Sequence, residues 1–228
     1  MRLLTFPITA AMICAPLLFG ADEKFTERLD DSAALLSEVM STPDKAIPQD
    51  LLNKAACIVI VPGLKKGAFV VGAKYGRGFA ICRGAGGQGW GPPAAITIEG
   101  GSFGLQIGVS SSDVIMLVMN DRGMKKLTED KFTIGADATA AAGPVGRNAT
   151  AQTDALMTAE ILSWSRSRGA FIGASLDGAT LRNDIDQNEA MYGKRWTSRQ
   201  ILNSGATPPA AATKLLELLT KYSMRKTG

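Results

Sequence analysis

With 228 residues, 46% hydrophobic and 20% charged, the chain can build one sizeable core and is not globally disordered. It holds no histidine, which removes Ser-His-Asp and Cys-His catalysis, histidine-ligated zinc and ordinary imidazole acid–base chemistry. The net charge of +4 is modest, and 25 glycines, against roughly 16 from average usage, point to tight strand connections and close backbone packing.

The opening stretch reads as a secretory leader over 1–21. Arg2 supplies the positive start, Leu3 to Phe19 is apolar but broken by Pro7 and Pro16, and Gly20-Ala21 offers small residues for cleavage. Export to a periplasmic or cell-envelope location follows as an expectation. Removal of the leader and its Cys14 leaves Cys57 and Cys82. In an oxidising compartment they could pair, yet both sit in apolar strand-like runs where buried free thiols fit as well.

Residues 22–43 predict an amphipathic helix and its end. Phe25, Leu29, Leu36 and Met40 form a stripe that Leu35 and Val39 widen, and Pro43 and Pro48 limit its extension. Its polar face is acidic: residues 22–41 carry net −4, whereas 42–228 carry net +7. A membrane-surface helix normally presents lysine and arginine, so packing on its own domain is the expected role.

The period then changes. Ala56 to Val61 reads as a strand closed by Pro62-Gly63, and Gly67–Ala73 and Gly78–Cys82 as strands joined by a hairpin at Tyr75–Gly78. Ala94–Glu99, Phe103–Val109 and Asp113–Asn120 follow, linked through Gly100-Gly101 and Ser110–Ser112. Such short links favour antiparallel pairing. Asp121–Thr128 suggests a short helix and Phe132–Ala140 a strand. Ala159–Ser165 and Phe171–Leu181 suggest a hairpin around Ser167–Gly169, and Asp184–Met191 a helix. Ala210–Met224 closes the chain as an amphipathic helix after Pro208-Pro209. The expected domain spans 44–205, with 206–228 as C-terminal helix and tail.

Few motifs carry chemistry. Gly84 to Gly89 spells G-x-G-x-x-G, but Trp90-Gly91-Pro92-Pro93 follows where a phosphate-binding helix would have to start, so it reads as a loop. Glu99, Asp113, Asp137, Asp154, Glu160 and Asp177 are scattered acids without metal-loop or paired-acid spacing. The basic clusters Lys65-Lys66, Arg166 with Arg168, and Lys194-Arg195 lie in or beside predicted turns. No dense basic block of a nucleic-acid binder is present, and nothing calls for a cofactor or metal.

The order of several short segments resembles the SYLF domain family over about 44–202. They include Ala55–Pro62, Tyr75-Gly76-Arg77-Gly78, Gly89-Trp90-Gly91-Pro92-Pro93, Gly100–Gly108, Gly135-Ala136-Asp137 and Ala142–Arg147. Ser163-Trp164-Ser165, Arg168–Phe171, Ser175–Gly178, and Asn188 with Tyr192-Gly193 complete the series. The resemblance implies a non-catalytic lipid-binding module. Eukaryotic relatives are described as binding phosphoinositides with help from an N-terminal amphipathic helix, and some fungal ones as bundling actin.

The expected fold is therefore α+β: a glycine-rich antiparallel twisted sheet or partly closed barrel flanked by N- and C-terminal amphipathic helices. The expected function is contact with anionic phospholipid at a membrane surface. Lys65, Lys66, Arg166 and Arg168 would supply charge, and Phe25, Leu29 and Leu36 apolar contact if the helix detaches. The alternative is a structural or protein-interaction module with a protein partner, actin-binding-like in remote relatives.

Overall fold

The computed structural model describes residues 19–42, 47–68, 71–84, 87, 89–103, 108–146, 158–167 and 170–223. Most of the expected leader, with Cys14, lies outside them, as do Asp154 and Arg168. Helix α1 spans Phe19–Ser41 and the short α2 spans Gln49–Lys54, starting at Pro48.

Four long strands follow: β1 (Cys57–Ala68), β2 (Val71–Cys82), β3 (Ala94–Phe103) and β4 (Gly108–Val118). They pair antiparallel in the order β3-β2-β1-β4. After α3 (Asp121–Leu127) come β5 (Lys131–Thr133), β6 (Ala140–Ala142), β7 (Ile161–Ser167), β8 (Ala170–Gly173) and β9 (Thr180–Asn183). The sheet runs β5-β9-β3-β2-β1-β4-β7-β6, with β8 also on β7. It curls into a half-barrel. Helices α4 (Ile185–Tyr192), α5 (Ser198–Ser204) and α6 (Thr213–Tyr222), the last entered through a 3-10 turn at Ala210–Ala212, complete the chain.

Side-chain alternation along the strands gives the sheet two buried faces. Ile58, Ile60, Phe79, Ile81, Ile115, Leu117 and Trp164 pack under the helices, together with Leu29 and Leu36 of α1 and Leu215 and Leu219 of α6. Cys57, Val59, Val61, Ala80, Val114 and Met116 face the other way. There they meet Phe132 of β5 and Ile161 of β7, from opposite ends of the strand order, so this face is the inside of the curl.

Several expected boundaries differ. Pro62-Gly63 does not close β1 but forms a bulge, where the pairing jumps from Val61↔Val114 to Leu64↔Ser112. Gly63 takes a φ of 66° there, and its N–H donates to Asp113 Oδ1 at 2.9 Å. Tyr75–Gly78 is no hairpin turn; it lies inside β2, paired with β3. The glycines serve the bulge: a Cβ on Gly78 would sit 2.1 Å from the Ile60 carbonyl oxygen, and one on Gly76 2.9 Å from Leu64 Cδ1. Gly100-Gly101 and Ser110–Ser112 are likewise inside β3 and β4. The expected strand 132–140 divides into β5 and β6, and 171–181 into β8 and the start of β9. β6 runs parallel to β7, a pairing for which the length of chain between them suffices.

Cys57 and Cys82 stand directly opposite each other on β1 and β2 and are joined by a disulfide.

Past Asp113 and Glu99, where pairing with β7 and β9 ends, the four central strands continue as an arm. Its outer edges are Gly100–Phe103 of β3 and Gly108–Ser112 of β4. No helix among the described residues is long and apolar enough to cross a membrane.

Candidate functional site

The apolar residues expected to touch lipid are core residues in this conformation. Phe25 is 8% exposed, and Leu29 and Leu36 are fully buried. Burial of a large apolar side chain is worth roughly 2 kcal/mol. Freeing α1 would also uncover Leu35 and Val39, for a total of about 10 kcal/mol, the scale of a whole domain's stability. The helix is thus packed on its own domain.

Arg166 does not stand with the lysines as an open cation. Its Nε donates to Asp113 Oδ2 at 2.8 Å, its Nη2 lies 2.6 Å from the same oxygen, and its Nη1 pairs with Glu38 of α1. Burial opposes its charge, but the hydrogen bonds it donates to Glu38 and Asp113 prevail and raise its pKa above the ordinary arginine value. Arg166 is a clamp between α1, β4 and β7.

Lys65 and Lys66 lie on the arm, beyond the bulge, and face opposite sides of the sheet. Lys65 is exposed between Tyr75 of β2 and Ser111 of β4; Lys66 sits between Lys74 of β2 and Ser110 of β4. Burial, and then the neighbouring Lys66, holds the pKa of Lys74 below that of an ordinary lysine, with Asp177 partly offsetting both. Lys74 reaches across Gly100, where a Cβ would lie 2.8 Å from its Cε. The sequence reading missed Lys74 because its place beside Lys66 depends on the register of a hairpin assigned elsewhere.

The scattered acids among the described residues are engaged in local structure. Glu99 pairs with Arg182, and Glu160 pairs with Arg122 at 3.2 Å and accepts from the Thr139 N–H at 2.8 Å. Asp137 accepts from the Thr133 N–H at 2.7 Å and Asp177 from Ser175 Oγ at 2.6 Å. The segment from Gly84 to Gly89 begins no α-helix among the described residues.

The motifs that carry the family resemblance tie the scaffold together. Trp90 Nε1 donates to Ser223 Oγ at 2.8 Å, and the Arg83 guanidinium lies 4.2 Å over the Trp90 ring while donating to carbonyls of Leu52 and Ser223. Asn188, fully buried, accepts from the Ala95 N–H at 2.7 Å and donates to the Trp196 carbonyl at 3.0 Å. Tyr192 donates to the Pro93 carbonyl at 2.6 Å; burial raises its pKa well above the usual tyrosine range. Gly143 lies so close to the buried Trp164 that a Cβ would come within 2.1 Å of its ring.

Among the described residues, the arm is one surface open to recognition. A groove of about 500 Å³ between α1 and α6, lined by Ala33, Ala34, Glu38, Lys214, Glu217 and Leu218 among others, is another.

The chain is 32% identical to the human SH3 domain-containing YSC84-like protein 1 over 182 residues, covering 79% of this chain and 53% of that protein. The bovine protein of the same name matches equally. LAS seventeen-binding protein 3 of Saccharomyces cerevisiae is 30% identical over 179 residues, 77% of this chain and 39% of its own. The chain thus spans about half the length of the first of these relatives and less of the yeast one. The family described as Ysc84, Las17-binding protein actin regulator, matches residues 99–222. With more than half of its length matched, the chain belongs to the Ysc84, or SYLF, family.

Proposed function

We propose that this chain is a non-catalytic protein-interaction module. The carrying observation is the family match: the family is described as a Las17-binding actin regulator and the yeast relative is named a LAS seventeen-binding protein, words for binders and regulators rather than enzymes. The geometry supports the reading, since the family's aromatic and polar motifs are occupied in holding the scaffold and leave the arm and the α1–α6 groove to meet a partner. Photo-cross-linkers at Ser110 on the arm and Leu218 in the groove test it. Recovery of one defined protein from one surface, abolished by a charge reversal there, is the expected result. A folded chain that cross-links nothing specific from either surface would overturn it.

A second reading, contact with anionic phospholipid, is favoured by Lys65, Lys66 and Lys74 gathering on one arm. Near an anionic surface each contributes about 1 kcal/mol, which gives weak, salt-sensitive binding. Co-sedimentation with anionic but not neutral vesicles, lost in Lys65→Ala/Lys66→Ala/Lys74→Ala, is its test. Export is supported by the Cys57–Cys82 bond, because disulfides persist mainly in oxidising compartments.

A further inference from the structure

We propose that the outer edge of β4 on the arm, Gly108–Ser112, receives an extended, acidic segment of a partner protein as an added β-strand. The inference rests on the protein-interaction reading and specifies the surface and the chemistry of the partner.

The register carries it. β4 is bonded to β1 over Gly108–Ala68 through Val118–Cys57, but its other side is paired with β7 only from Asp113 onward. Over Gly108–Ser112 that side meets no strand among the described residues. Exposed edges are normally blunted by charge, proline or a bulge on the edge strand itself. Here the edge reads Gly-Val-Ser-Ser-Ser, with none of these. Val109 is 86% exposed, and Ser110 and Ser111 are exposed. The bulge that interrupts the β1–β4 ladder lies on β1, on the side away from the edge.

The charge stands one strand behind. Lys65 is directly opposite Ser111 and Lys66 directly opposite Ser110, on opposite faces of the sheet. Serine is short, so each lysine can extend across it to a side chain of a guest strand. A guest with acidic residues on either face therefore finds an ammonium on that face. Lys66 makes no ion pair among the described residues, and its cross-strand neighbour Lys74 is a like charge, a pairing that costs stability in a sheet. An incoming carboxylate relieves that repulsion. Backbone pairing would supply the affinity and the lysines the choice of partner, as in other strand-addition sites.

The test uses the full chain and a labelled peptide of alternating valine and glutamate. Its lysine counterpart and a version with alternate N-methylated amides serve as controls. We expect the glutamate peptide to bind at least about tenfold more tightly than the lysine peptide, and N-methylation to abolish binding. Hydrogen exchange at Val109–Ser111 should slow in the complex. Lys65→Glu/Lys66→Glu should reverse the preference toward the lysine peptide with an unchanged melting temperature, since Lys66→Glu places opposite charges across from Lys74.

Equal binding of acidic and basic peptides, or binding without protection of the β4 amides, overturns the proposal. So does binding of anionic vesicles to the arm with no response to the peptide, or a dimer of the chain that Ser111→Lys dissociates. A specific protein cross-linked from Leu218 with no peptide bound at β4 would overturn this inference and leave the protein-interaction reading standing.

Discussion

Removing the cross-strand disulfide should cost the domain a large and calculable part of its stability. Cys57 and Cys82 are separated by 25 positions, and closing a loop of that size in the unfolded chain corresponds to about 3.5 kcal/mol in the chain-entropy description. Both side chains are buried on the inner face, so Cys57→Ala/Cys82→Ala adds only a small packing loss. With a urea slope of about 2 kcal/mol/M, the midpoint should fall by about 1.7 M. Wild-type protein unfolded in the presence of a thiol reductant should match the double variant closely. Thiol titration of the denatured, unreduced full chain should find one reactive thiol, that of Cys14. Three reactive thiols, or coincident urea midpoints with and without reductant, would refute the argument and with it the support for an oxidising compartment.

Gly78→Ala should destabilise by about 3 kcal/mol, because its Cβ meets the Ile60 carbonyl and the Val61 Cα. Gly101→Ala, with nothing near its Cβ position, should change the melting temperature little; similar losses at both would refute the close-approach explanation. Arg166→Met should cost about 2 kcal/mol by leaving the Asp113 carboxylate with little beyond the Gly63 N–H. Glu38→Gln, at a side chain 63% exposed, should cost under about 1 kcal/mol in the same urea titration. Tyr192 has its pKa raised by burial, so above about pH 10 the unfolded chain loses this proton first and stability falls as pH rises. Tyr192→Phe should lose about 1 kcal/mol at neutral pH with the hydrogen bond to Pro93, and show a shallower decline between pH 10 and 12, read by melting temperature.

The apolar periods of α1 and the central strands were legible because burial repeats at helical or two-residue spacing. Phe25, Leu29 and Leu36 announce one face of a helix, and Ile58–Val61 a strand buried on both sides. The arm was not legible. Pro62-Gly63 and Gly76–Gly78 carry ordinary turn signals, and only their mutual approach across β1 and β2 turns them into a bulge and its clearance. Helix α5 could have been found from Thr197 and Gln200, a capping box formed as the spacing suggests. Of the site residues, Lys65 and Lys66 were found by charge alone. Lys74 and the β4 edge required the register, and the capture of Arg166 by Glu38 required the docking of α1.

The bulge at Pro62-Gly63 marks the root of the arm. On one side of it β1 is gripped by two cores and a covalent cross-link; on the other, past the buried Leu64, its neighbours are mostly glycine, serine and lysine. At this root of the arm the Gly63 N–H is held by Asp113. Asp113 in turn shares Arg166 with Glu38 of α1. The acidic helix and the basic arm, remote in sequence, are thereby joined through one arginine.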